Sequence, residues 1–184
     1  MSGLGASPPF NIPANSTYIT GWTVVQGNVD LTTDANYGPG NNTLHPGSVQ
    51  DVDLIGDTNG SGGVKGGLSQ SFATITGQAY RLAFDYSHNP GTISPDYAAQ
   101  VTVADAILAT TIFSVEISQL FGLAPWQSFS QDFIATSDST LLTFIATRGG
   151  FNAGIYLDEV SVEPVNAVPL PAALPLFAGG LGLM

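Results

Sequence analysis

Residues 80–86 read YRLAFDY, with Tyr80, Leu82, Phe84 and Tyr86 alternating with Arg81, Ala83 and Asp85. Successive side chains of a strand point to opposite faces, so a period of two sets the four large groups against a core. Just upstream, residues 68–74 (LSQSFAT) also have strand character. The Thr76-Gly77 pair between the two runs predicts an antiparallel hairpin. Working outward, the same pattern of short apolar runs cut by Gly and Pro recurs along the chain. Residues 22–31 (WTVVQGNVDL) read as a strand pair, or as one strand bent at Gly27. Strands are expected at 49–55, 100–103 and 110–115, and again at 128–135, where Phe129, Gln131 and Phe133 share a face. Residues 141–146 (LLTFIA) are apolar on both faces, as a central strand would be, and 155–162 (IYLDEVSV) form a last strand. Residues 117–125 fit either a short helix or a loop, while 32–47 and 56–67 are rich in turn formers and read as long surface loops. No window sustains a 3.6-residue period. Eight or nine strands at this spacing predict an all-β fold, a two-sheet antiparallel β-sandwich of jelly-roll type.

Composition narrows the function. The chain has 184 residues, a soft prior for one domain, and 43% are hydrophobic, enough for a sizeable core. Only 9% are charged, against roughly 25% in ordinary soluble domains. Its polar surface must therefore be largely Ser, Thr, Asn, Gln and Gly, as in many secreted β proteins. Net charge is −11, with Lys65, Arg81 and Arg148 the only fixed cations. Such a chain cannot neutralise a run of phosphates, so nucleic acid and anionic membrane surfaces are poor partners. Neutral glycans and divalent cations fit the charge. Without cysteine there are no disulfides and no thiolate metal sites.

The two ends differ in kind. Residues 1–9 (MSGLGASPP) lack the basic start and apolar run of a signal peptide. Residues 163–167 read as a linker, and 168–184 (VPLPAALPLFAGGLGLM) carry no charge. That segment is shorter than the roughly 20 residues of a spanning helix, and its prolines and glycines suit neither a buried helix nor a strand. Val168, Pro169, Leu170, Pro171 and Ala172 resemble the VPLPA variant of the PEP-CTERM sorting signal, with the hydrophobic span following. The resemblance implies an exported protein, processed by an exosortase-type sorting protease and meeting a membrane only through this tail. The destination implied is the cell surface or extracellular matrix. The basic cluster that closes such tails is not found here, so the chain is expected to be incomplete at this end and, by the same logic, at its start.

The body resembles the choice-of-anchor C family of exported bacterial proteins. The likeness is carried by Gly21-Trp22-Thr23-Val24, Val52-Asp53-Leu54, Gly67-Leu68-Ser69-Gln70-Ser71-Phe72, Gly77-Gln78-Ala79-Tyr80-Arg81-Leu82, Phe84-Asp85-Tyr86, Trp126 and Leu157-Asp158-Glu159-Val160. It spans roughly residues 20–163, leaving 1–19 as a poorly matched N-terminal segment and 164–184 as linker and tail. The family implies a galactose-binding-like jelly roll, resembling plant cell-wall proteins that associate with polysaccharide, and no established catalytic activity.

Candidate sites follow from chemistry. Aromatic rings stack on the apolar faces of sugars, and neighbouring amides and carboxylates bind the hydroxyls. Tyr37 with Asn36, Tyr97 with Asp96, and Trp126 after Pro125 lie in contexts that offer such groups. Trp22 and Trp126 have core packing as their plainer role, since Trp is usually largely buried. Asp158 in the last strand is the candidate metal ligand. Galactose-binding-like domains often hold a structural calcium where the first and last strands meet, and calcium takes six to eight hard oxygens. The plainer reading is a hydrogen-bonded or solvent-facing Asp beside Glu159. His45 and His88 both precede turns, and no nucleophile elbow, phosphate loop or zinc-protease motif occurs. Arg81 and Arg148 read as anchors for aspartates on adjacent strands. The chain is therefore read as a non-catalytic polysaccharide-binding module with specificity in loops 32–47 and 87–99. The alternatives are a glycan hydrolase with paired carboxylates, or a purely structural surface component.

Overall fold

A computed structural model describes residues 11–33, 45–56, 64–89, 96–104, 106–107, 112–118, 126–150 and 152–165, with backbone alone at 96, 106–107 and 112–118. These residues contain twelve strands and no helix. They are β1 (Ile12–Pro13), β2 (Thr23–Gln26), β3 (Asn28–Thr33), β4 (Gln50–Asp53), β5 (Gly67–Ala73) and β6 (Ala79–His88). The second half holds β7 (Asp96–Ala104), β8 (Ala106–Ile107), β9 (Ile112–Ser118), β10 (Gln127–Ala135), β11 (Ser139–Arg148) and β12 (Ile155–Pro164). A seven-stranded sheet runs in the order β1-β3-β4-β12-β6-β10-β8, and a five-stranded sheet in the order β2-β5-β11-β7-β9. All pairings are antiparallel, and the two sheets form the expected sandwich.

The core lies between the sheets and is built by alternation. Tyr80, Leu82 and Phe84 of β6 are buried, with Tyr86 packed against their cluster. Phe84 stacks on Phe129 of its own sheet at 4.7 Å and meets Phe144 of the opposite sheet edge-on at 5.1 Å. Removing such a side chain to Ala costs about 3–5 kcal/mol. Strand β11 is the middle strand of its sheet, as its apolar sequence predicts, although Leu141 faces outward.

The strand at 22–31 does break at Gly27, where φ is +55° and a Cβ would come within 2.2 Å of the Val64 carbonyl oxygen. The two halves, β2 and β3, enter different sheets. A similar switch overturns the predicted hairpin: β5 and β6 lie in opposite sheets and do not pair. The turn at Thr76-Gly77 exists, with φ +83° at Gly77, but its polar groups bond to the neighbouring β10–β11 crossover. Thr74 N–H donates to Asp138 O, and Gly77 N–H to Ala135 O. Two crossovers thus brace each other where a hairpin was expected. The sandwich also begins before residue 20, because β1 pairs with β3 and Ile12 is buried in the core.

Candidate functional site

Val52 and Leu157 point into the core, so their strand neighbours Asp51, Asp53, Tyr156 and Asp158 point to the outer face of the seven-stranded sheet. Register brings several acids together there. Asp158 of β12 lies opposite Asp85 of β6, and Asp85 opposite Ser128 of β10. Asp51 of β4 sits one step beyond the Val52–Leu157 pair, opposite Thr32 of β3.

His45, from the loop before β4, closes over this row. Its Nε2 is 2.8 Å from Asp85 Oδ2, and its Nδ1 is 3.7 Å from Asp158 Oδ2. Its backbone N–H reaches both oxygens of Asp51 at 3.3–3.4 Å. Trp126 leads into β10 and meets the His45 ring edge-on at 5.0 Å. It also lies offset above Tyr156, with centroids 6.5 Å apart and planes 26° apart. The indole is half-buried, and its Nε1–H has no hydrogen-bond partner among the described residues. On the core-facing side of the same strands, Tyr86 OH donates to Gln127 Oε1, and partial burial raises the Tyr86 pKa. An indole, an imidazole and several carboxylates thus share one face, offering acceptors for hydroxyl donors and a ring for apolar contact.

A second acid group lies deeper on the same sheet. Asp53 is wholly buried and accepts hydrogen bonds from Asn89 Nδ2 at 2.8 Å and Ile55 N–H at 2.9 Å. Burial pushes its carboxyl well above the ordinary range, Asp30 adds to that, and N–H donors from Asn89, Ile55 and Gly154 oppose it. The hydrolase reading calls for a raised carboxyl in an open cleft, whereas Asp53 is 1% exposed.

Of the residues expected from sequence, Trp126 and Asp158 both come to the outer-face cluster. Tyr97 does not: it is completely buried in β7 and stacked on His88 at 4.6 Å, so it is a core residue and presents no ring to a sugar. Asn36 and Tyr37 lie outside the described residues, as do Val168, Pro169, Leu170, Pro171 and Ala172 of the sorting motif. Among the described residues, β1 pairs with β3, and Asp158 lies on β12 between β4 and β6. Arg81 does anchor an aspartate on the adjacent strand, through a two-pronged ion pair with Asp132. His45 and Asp85 were not singled out, yet they tie the cluster together.

The fold has solved relatives in shape. Carbohydrate-binding module TmCBM61, solved in complex with β-1,4-galactotriose, matches 87% of this chain and all of its own at 16% identity, with a TM-score of 0.55. The CBM22-1 xylan-binding domain of Paenibacillus barcinonensis Xyn10C matches 88% of this chain and 99% of its own at 17% identity, with a TM-score of 0.50. Those likenesses show the jelly-roll fold. No curated protein matches the chain. A family model described as "Protein of unknown function (DUF642)" matches residues 6–163.

Proposed function

The chain belongs to that DUF642 family, and from this premise we propose that it is a non-catalytic module that binds polysaccharide on the outer face of its seven-stranded sheet. The observation that carries the reading is Trp126, half-buried beside Tyr156, with an unused indole N–H and the carboxylates of Asp85 and Asp158 within the same cluster. An aromatic platform edged by acceptors suits a neutral sugar, whose ring offers C–H faces and whose hydroxyls donate. The acidic rim and the net charge of −11 repel uronic acids. The shape relatives named above include one solved with a galactan fragment and one described as xylan-binding, so neutral galactans and xylans are the first glycans to try.

In this reading the protein is of the choice-of-anchor C type and is exported. Val168-Pro169-Leu170-Pro171-Ala172 directs an exosortase-type protease to its tail, and the module ends at the cell surface or in the exopolysaccharide matrix. Affinity electrophoresis through gels containing neutral galactan or xylan tests the binding claim. The wild-type chain is retarded, and Trp126→Ala reduces the retardation by about tenfold or more, the size expected for losing a stacked ring. Equal retardation of both proteins would place recognition elsewhere.

A further inference from the structure

We propose that His45, Asp158 and Glu159 bind a divalent transition-metal ion of the zinc class, with Asp85 orienting the histidine. The ligand atoms of these three side chains all lie within 4.8 Å of one another. His45 Nδ1 and Asp158 Oδ2 are both buried atoms without a hydrogen-bond partner among the described residues. They face each other across 3.7 Å, too far for a hydrogen bond. Two ligands each about 2.0–2.1 Å from a tetrahedral ion sit about 3.3 Å apart, so a small closure of the gap suffices.

The orientation of each group is already set. Asp85 Oδ2, 2.8 Å from His45 Nε2, accepts the ring proton there. This fixes the tautomer that leaves a lone pair on Nδ1, facing Asp158, and a carboxylate behind a ligating imidazole is a recurrent supporting contact in metal sites. Trp126 packs edge-on against the same imidazole and restrains its plane. On the other side, Glu159 N–H donates to Asp158 Oδ1 at 2.8 Å, which leaves Oδ2 turned toward the histidine.

The backbone brings Glu159 to the site. In a regular strand Asp158 and Glu159 would point to opposite faces. Here β12 bulges: the register passes from Asp158–Asp85 to Ser161–Ala83, one residue more on β12 than on β6. Within the bulge Glu159 adopts φ +50°, a left-handed conformation that non-glycine residues seldom take. Bulges commonly re-aim side chains at functional sites, and this one gathers consecutive acids beside one histidine.

The donor set also selects the ion. One imidazole nitrogen and two carboxylates are few ligands for calcium, which takes six to eight oxygens, and they suit a borderline ion such as zinc. The nitrogen ligand therefore replaces the calcium expected at Asp158 with a transition metal. The metal site shares Asp85 and Asp158 with the proposed glycan face, but metal titration without glycan reads the ion alone, so either reading can fail without the other.

Calorimetric titration of Zn2+ into the tag-free full chain tests it, with Ca2+ and Mg2+ as controls. One ion per chain is expected, and His45→Ala should weaken binding at least about 100-fold. Asp85→Asn should weaken it about 10–100-fold, as for other supporting carboxylates. The exposed Glu159→Gln variant serves should His45→Ala fail to fold, and it too should bind more weakly. In nitrogen-15 NMR the Nδ1 signal of His45 should shift on metal addition. The proposal is overturned by no zinc binding, by zinc binding unchanged in the folded variants, or by tighter calcium than zinc binding.

Discussion

Asp51 and Asp53 stand two residues apart on the same short strand, both 1% exposed, yet they belong to different kinds of site. Asp53 is held by Asn89 and by backbone N–H groups inside the fold. Asp51 helps to seat His45, whose Nδ1, like Asp158 Oδ2 and Trp126 Nε1 beside it, has no hydrogen-bond partner among the described residues. Buried polar groups are ordinarily satisfied. The contrast teaches that acidity alone does not mark function on this sheet. An acid whose lone pairs are accounted for by the protein is part of the frame, and one left with an open side is available to a ligand.

Substitution separates the two. Asp53→Ala strands the buried donors of Asn89 and Ile55 and is expected to cost about 2–3 kcal/mol by urea denaturation. Asp158→Asn, at the open site, should change stability by no more than about 1 kcal/mol while abolishing metal binding. Equal losses of stability in both variants would erase the distinction.

The pH profile sharpens it. Asp53 binds its proton more tightly folded than unfolded, because burial raises its pKa above 3.8. Its contribution to stability is therefore fullest below the unfolded value and declines as pH rises toward the raised one. Wild type should lose stability across that window relative to Asp53→Asn, as followed by thermal melts at stepped pH. A difference between the two proteins that does not change with pH would contradict the assignment.

The smallest effect is expected at the exposed pair Arg81 and Asp132, where the carboxylate raises the pKa of the arginine and the guanidinium lowers that of the aspartate. Arg81→Ala should barely move the melting temperature, and any change should vanish in about 1 M salt, where the Debye length is about 3 Å. A large, salt-insensitive loss would show that this pair, too, is part of the frame.

The fold was more legible than the site. Alternation in residues 80–86 reported which side chains face the core, and the structure agrees. It could not report which sheet each strand enters, because Thr76-Gly77 turns the chain equally well within a sheet or between sheets. That choice is made by Asp138 and Ala135, about sixty residues away. Tyr97 looked like a loop aromatic because Ser94, Pro95 and Asp96 precede it, but it opens a buried strand. His45, between Leu44 and Pro46-Gly47, reads locally as a turn residue, and its partners Asp85 and Asp158 are distant in sequence. One signal was available. Aspartate is depleted in strands, yet Asp51, Asp85 and Asp158 all occupy them. Strand acids at outward positions were worth reading as a group.

The two indoles provide the most direct test of recognition on the outer face. Trp22 packs toward the core against Phe144, with ring centroids 5.9 Å apart, while Trp126 lies at the acid cluster. In a proton–nitrogen NMR titration with galacto- or xylo-oligosaccharide, the indole N–H signal of Trp126 should shift in a saturable way and that of Trp22 should stay in place. A shift at Trp22 with Trp126 unmoved, or no shift at either with any neutral glycan tried, would contradict the account.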